Sequence, residues 1–321
     1  MRHVAVILSV AAVIMLAGAS FAYLYQPDFD FSLEDRGGSA EVSVSGTLPS
    51  EIRYSVLSGT DTPERIYLYL DQKYPGKMVS YRTQEQTMNS LKGLLSSRGY
   101  DAVEIIDAER LAQLCSDPSA AADSGIVMAS GSIPEPAYPT DSENGLVTWL
   151  SNGGTLYWSG PDMGRFRAVL KNDDIDTGNG YFGDDVNYSK DKDCLVSEVS
   201  EMARVMGFAG CHAEYGLRSD YPGSTVIGLS GDYSSLSVVS VSSGRMFVLG
   251  NLLNSLHVED FYTFADMMVC GIVENTAVKD SGIFHKGYGK CSFTIEGTDP
   301  GDAVYVSAGK TVSVCGKLFV L

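Results

Sequence analysis

Short apolar runs separated by helical stretches restrict the fold of this chain more than any other feature. From Pro63 onward, "RIYLYL" (65–70), "AVEII" (102–106), "GIVMAS" (125–130) and "TLYWS" (155–159) have the length and the β-branched and aromatic content of strands. The segments between them are helical in pattern. In "TQEQTMNSLKGLLSSRGY", Thr83 and Gln86 form a capping box, Met88, Leu91, Leu94 and Leu95 share a stripe, and Gly99 ends the helix. "DAERLAQLC" and "SENGLVTWLSNGG" supply two more helices, the second with Leu146, Val147 and Leu150 inward. Strands joined through helices predict a mostly parallel sheet with right-handed crossovers. The uninterrupted apolar character of 125–130 predicts helices on both faces.

The remainder is less regular. Residues 171–191 form a polar, Gly-rich insertion, followed by a helix capped by Asp193, with Leu195, Val199, Met202 and Met206 on one stripe and Gly207 at its end. Runs 224–230 and 236–241 predict a meander, "RMFVLGN" (245–251) a buried strand, and 259–273 a closing helix with Phe261, Phe264, Ala265 and Met268 inward. The expected domain is therefore 63–275. Residues 27–62 are expected to be a stalk with an edge strand, and 276–321 a small β appendage.

Val4 to Tyr25 carries no charge and is long enough to cross a bilayer as a helix. Arg2 precedes it, and Asp28, Asp30, Glu34 and Asp35 follow, which puts the amino terminus inside and the body outside. Residues 1–26 are thus expected to be a transmembrane anchor or a signal segment, since Ser20-Phe21-Ala22 also suits a cleavage site; the length favours the anchor. The membrane is the expected partner and the location is extracytoplasmic. A net charge of −17 argues against nucleic acid. Six scattered cysteines form no CxxC pair, so zinc is not expected. Export permits disulfides, and Cys291 with Cys315, in neighbouring predicted strands, is the best pair. Asn187-Tyr188-Ser189 is a glycosylation sequon.

"GIVMASGS", the helix ending "WLSNGG" and the strand "TLYWSG" together resemble the class I glutamine amidotransferase-like and ThuA-like superfamily over residues 63 to 275. The resemblance implies a flavodoxin-like α/β domain. Catalytic members carry a cysteine on a Gly-x-Cys-x-Gly elbow; here Ser159 takes that place, but Tyr157 and Pro161 stand where the glycines would be. His257-Val258-Glu259 follows a late strand, in the chain order of a nucleophile–His–Glu triad. The expectation is a domain without catalysis that acts as a binding or structural module at the cell envelope. The alternative is a serine hydrolase or amidohydrolase using Ser159, His257 and Glu259.

Ligands of open α/β sheets gather beyond the carboxyl ends of the strands. Asp71, Ser130, Ser159, Asp162 and Asn251 are expected at that rim. No cofactor is expected, with one exception. Asp174, Asp176 and Asp185 lie at a spacing near that of a calcium loop, although the sixth position is Asn179 and the last is Asp, so a calcium-stabilised module is a second alternative.

Overall fold

The computed structural model describes residues 29–46, 50–139, 143–170, 173–178, 180–188, 198–200, 215–253, 258–309 and 313–321. Along the chain the elements are β1 (Phe29–Asp35), β2 (Ser39–Gly46), β3 (Ser50–Ser58), β4 (Arg65–Tyr69), α1 (Tyr81–Ser97), β5 (Val103–Ile106), α2 (Ala108–Ser116), β6 (Ser124–Met128), β7 (Ile133–Pro134), α3 (Gly145–Ser151) and β8 (Thr155–Ser159). There follow β9 (Phe166–Val169), β10 (Asp173–Asp176), β11 (Val186–Tyr188), β12 (Glu198–Val199), β13 (Tyr215–Arg218), β14 (Ser224–Ser230), β15 (Tyr233–Val241) and β16 (Gly244–Leu249). The chain closes with α4 (Val258–Val269), β17 (Ala277–Lys286), β18 (Gly289–Glu296), β19 (Ala303–Gly309) and β20 (Ser313–Val320).

A ten-stranded open sheet forms the centre, in the order β11-β13-β15-β16-β8-β6-β4-β5, with β14 and β12 attached at β15. Its strands alternate between two faces, as period-two geometry requires. Ile66, Leu68, Val127, Tyr157 and Phe247 pack with α1 and α4, whereas Tyr67, Tyr69, Ile126, Trp158 and Met246 pack with α2 and α3. Side-chain caps start the helices. The Ser80 hydroxyl accepts from Thr83 N at 3.2 Å, so α1 begins three residues before the Thr83–Gln86 box expected to cap it, and Gly99, at φ +88°, ends it. Asp107 and Asn144 cap α2 and α3 in the same way.

The expected mostly parallel, flavodoxin-like fold is corrected. Five of the sixteen described strand pairings are parallel: β4 with β5, β4 with β6, β6 with β8, β8 with β16, and β7 with β9. Twenty strands against four α-helices among the described residues make this a strand-dominated protein. The helix expected from Asp193 to Gly207 also fails where it can be seen: Glu198 and Val199 form β12, paired antiparallel with β14, Ser200 follows without helix, and the other residues of the span lie outside those described.

The supposed stalk and appendage are one structure. β1-β2-β18 forms one sheet and β17-β3-β19-β20 another. Val42, Val44, Phe293 and Ile295 of the first meet Ile52, Val56, Val304 and Val306 of the second in a shared core. The opposite face of the second sheet sets Leu57, Ala303 and Tyr305 against α1 and α4. Arg98, just past α1, ion-pairs with Asp266 of α4 in this layer, and both side chains are buried. Burial alone would pull the Arg98 pKa down, but the Asp266 charge and the Tyr305 hydroxyl raise it.

The anchor expectation is corrected too. No helix among the described residues is long and apolar enough to cross a membrane, and Val4–Tyr25 lies outside them. A membrane partner and an extracytoplasmic location are therefore not carried forward. Cys291 is a free thiol on β18; Cys315 belongs to β20 in the other sheet, so the two are not on neighbouring strands. Asn187 lies in β11, with its side chain outside the described set.

Candidate ligand-binding rim

The loops that leave β4, β6, β8 and β16 converge beyond the strand ends and close on one another. Gly131 (φ +73°) and Gly160 (φ +129°) allow this: a Cβ on Gly160 would lie 2.9 Å from the Gly131 Cα, and one on Gly131 would lie 2.8 Å from the Met78 sulfur. The rim is packed where a strained elbow would have held a nucleophile.

Ser159 is fully buried. Its hydroxyl donates to the Asn251 carbonyl at 2.6 Å and accepts from Leu253 N at 2.5 Å, which ties β8 to the loop after β16. Both bonds would have to break before the oxygen could attack a substrate, so the hydrolase alternative does not fit. His257 lies outside the described residues; Glu259 sits in the first turn of α4, with its side chain outside them.

The other rim residues divide by what they bond. Asp71 accepts from Lys73 N (2.6 Å) and from Ala108 N (2.9 Å), holding the start of α2. Ser130 donates to the Ser132 carbonyl at 2.7 Å. Asp162 accepts from the backbone N–H of Phe182 and of Gly183, each at 3.0 Å, and so clamps the segment before β11 over the end of β8. Burial pushes its carboxyl up to about 6 against the pull of those donors. Asp162 also borders a small apolar cleft with Trp158, Pro161, Phe182, Tyr215 and Val248. The cleft holds about 10 Å³, room for a single water-sized group.

The expected calcium residues do not converge. Asp174 accepts from Lys77 N at 2.7 Å, Asp176 pairs with Arg165 at 3.3 Å, and Asp185 pairs with Arg218 at 3.3 Å. Among the described residues no three His, Cys, Asp or Glu side chains gather as a metal set. The calcium-module reading is corrected accordingly: Asp174 and Asp176 share a face of β10, but the Lys77 amide holds one and Arg165 the other.

A feature that sequence reasoning missed lies in the small sheet β10-β9-β7, which follows the ends of β6 and β8. Ser132 Oγ, Asp174 Oδ1 and Arg167 Nε are buried there without a hydrogen-bond partner among the described residues. Ser132 is fully buried and Arg167 is 9% exposed. "FRAV" shows no alternation that would mark an inward arginine, since Arg167 and Ala168 are both buried, and two-residue β7 gives no periodic signal at all.

No protein-family model matches the chain, and no curated protein does. Solved structures similar to it include an exo-β-1,4-mannosidase from an Opitutaceae bacterium (11% identity, 64% of this chain and 34% of that one, TM-score 0.39). They also include a cytoplasmic protein from Salmonella typhimurium (11%, 64% and 96%, TM-score 0.37) and a β-galactosidase from a Rahnella species (12%, 78% and 42%, TM-score 0.38). The chain thus spans about a third of the mannosidase. Likeness at this level assigns neither family nor activity. The amidotransferase-like resemblance is nevertheless corrected: the sheet is mixed, and the serine expected on the elbow is sealed in the core.

Proposed function

We propose that this chain is a ligand-binding module that acts at the carboxyl rim of its parallel strands, on the β7-β9-β10 side. One observation carries the reading: Ser132 Oγ, just before β7, and Asp174 Oδ1 and Arg167 Nε, on opposite faces of the β9-β10 pair, are buried without partners among the described residues. Leaving such a group unsatisfied costs about 1–3 kcal/mol, so each calls for a reason. The rim is also where open sheets with parallel strands hold their ligands. By contrast Asp71, Ser130 and Ser159 spend their bonding capacity inside the protein, and serve to shape the rim.

Amide NMR of the full chain against small acids, amines, sugars and neutral apolar probes tests this. The expected result is a saturable set of shifts confined to residues 130–135, 160–169 and 173–183. Saturable shifts centred on the β sandwich, or none with any probe class, would overturn it.

A further inference from the structure

Resting on that reading, we infer that the rim recognises a small oxyanion, a carboxylate or phosphate group, through the guanidinium of Arg167. Two arginines are buried among the described residues, and they are treated oppositely. Arg98 has Asp266 as its ion-pair partner. Arg167 has no carboxylate within ion-pair distance and no hydrogen bond at Nε among the described residues.

Register explains the isolation. Arg167 stands opposite Ile133 on β7 and opposite Ile175 on β10, so both directly facing positions are apolar. Arg165, just before β9, is paired with Asp176. The diagonal acid on β10, Asp173, is bound by Lys77. These two acids are therefore held by other cations.

The charge balance sharpens the point. The chain has 40 acidic residues against 23 lysines and arginines, so carboxylates are in excess. Arg167 is 9% exposed as a residue, and its Nε is sealed without a partner among the described residues, a position that favours a paired anion. Among the described residues no acid pairs with it, and it lies at the end of the sheet where ligands gather. Its planar fork of donors matches the two oxygens of a carboxylate or phosphate, and buried Ile133 gives it an apolar neighbour on one side, while Ile175 on the other is 43% exposed.

The test uses the full chain, with inorganic phosphate and acetate titrated at constant ionic strength against chloride. The Arg167 Nε–Hε resonance is the direct readout. It is expected to shift saturably with phosphate or acetate and not with chloride; the preferred arm identifies the oxyanion. Arg167→Met should weaken binding at least tenfold, and Arg167→Lys, which keeps the charge but loses the fork, should fall between it and wild type. An Nε–Hε signal that ignores both oxyanions would overturn the proposal, as would undiminished affinity in a folded Arg167→Met protein. If that variant does not fold, the wild-type resonance and Arg167→Lys still decide. Rim shifts with neutral probes but not with oxyanions would sink this inference alone; silence at the rim with every probe would sink the binding-module reading as well.

Discussion

Arg98 and Arg167 place the same side chain in two regions that handle buried charge in opposite ways. Between α1, α4 and β19 the guanidinium is locked to Asp266, and the group cements the sandwich to the α/β layers. On β9 it lies between two isoleucines with no anion supplied by the described residues. A protein that fills one such need and leaves the other open separates structural from recognition chemistry by the presence of the partner, not by residue type.

The comparison can be broken at Arg98 first. Arg98→Met strands the buried Asp266 carboxylate and should cost about 3–5 kcal/mol in urea unfolding, while Arg98→Met with Asp266→Leu should recover most of it. A loss below about 1 kcal/mol in the single variant would show that the interface does not depend on the pair. Asp162 gives the next largest effect. Its folded pKa, raised to about 6 from 3.8, means that the folded protein holds the proton more tightly than the unfolded chain. The associated stability is full below about pH 4 and is lost as pH rises through 6, up to about 3 kcal/mol. Asp162→Asn should flatten that window, so an unchanged slope between pH 4 and 7 in the variant would remove Asp162 as its cause. The smallest effect is the most telling. Arg167→Met should change stability by less than about 1 kcal/mol, or raise it, because no internal partner is stranded. A loss as large as that at Arg98 would place Arg167 among the structural groups.

Local pattern was legible wherever the controlling interaction is short. The helices at 81–97 and 108–116, the inward stripe of Met88, Leu91, Leu94 and Leu95, and the strands of the parallel core follow from spacing and caps within a few residues. Where the interaction is remote, the reading failed. Residues 29–58 look like a stalk because only β1 with β2 pairs locally, whereas β2 and β3 take their other ladder partners, β18, β17 and β19, more than two hundred positions later. The Asp174 to Asp185 spacing suggested a metal loop because sequence shows how often acids recur and not which cations face them. Ser159 was correctly placed at a strand end, but nothing near it in the chain reveals that Asn251 and Leu253 hold its hydroxyl.

The amino-acid sequence alone determined the alternation of strand and helix from 65 to 159, the helix start at Asp107, and an acidic surface, since each depends on propensity, periodicity or charge that neighbouring residues carry. The tertiary structure decided which strands pair, how the two ends of the chain meet in a sandwich, and which buried polar groups find partners. Those outcomes depend on contacts between segments far apart in the chain, where burial makes an unmatched hydrogen bond or charge expensive and local pattern carries no information about the match.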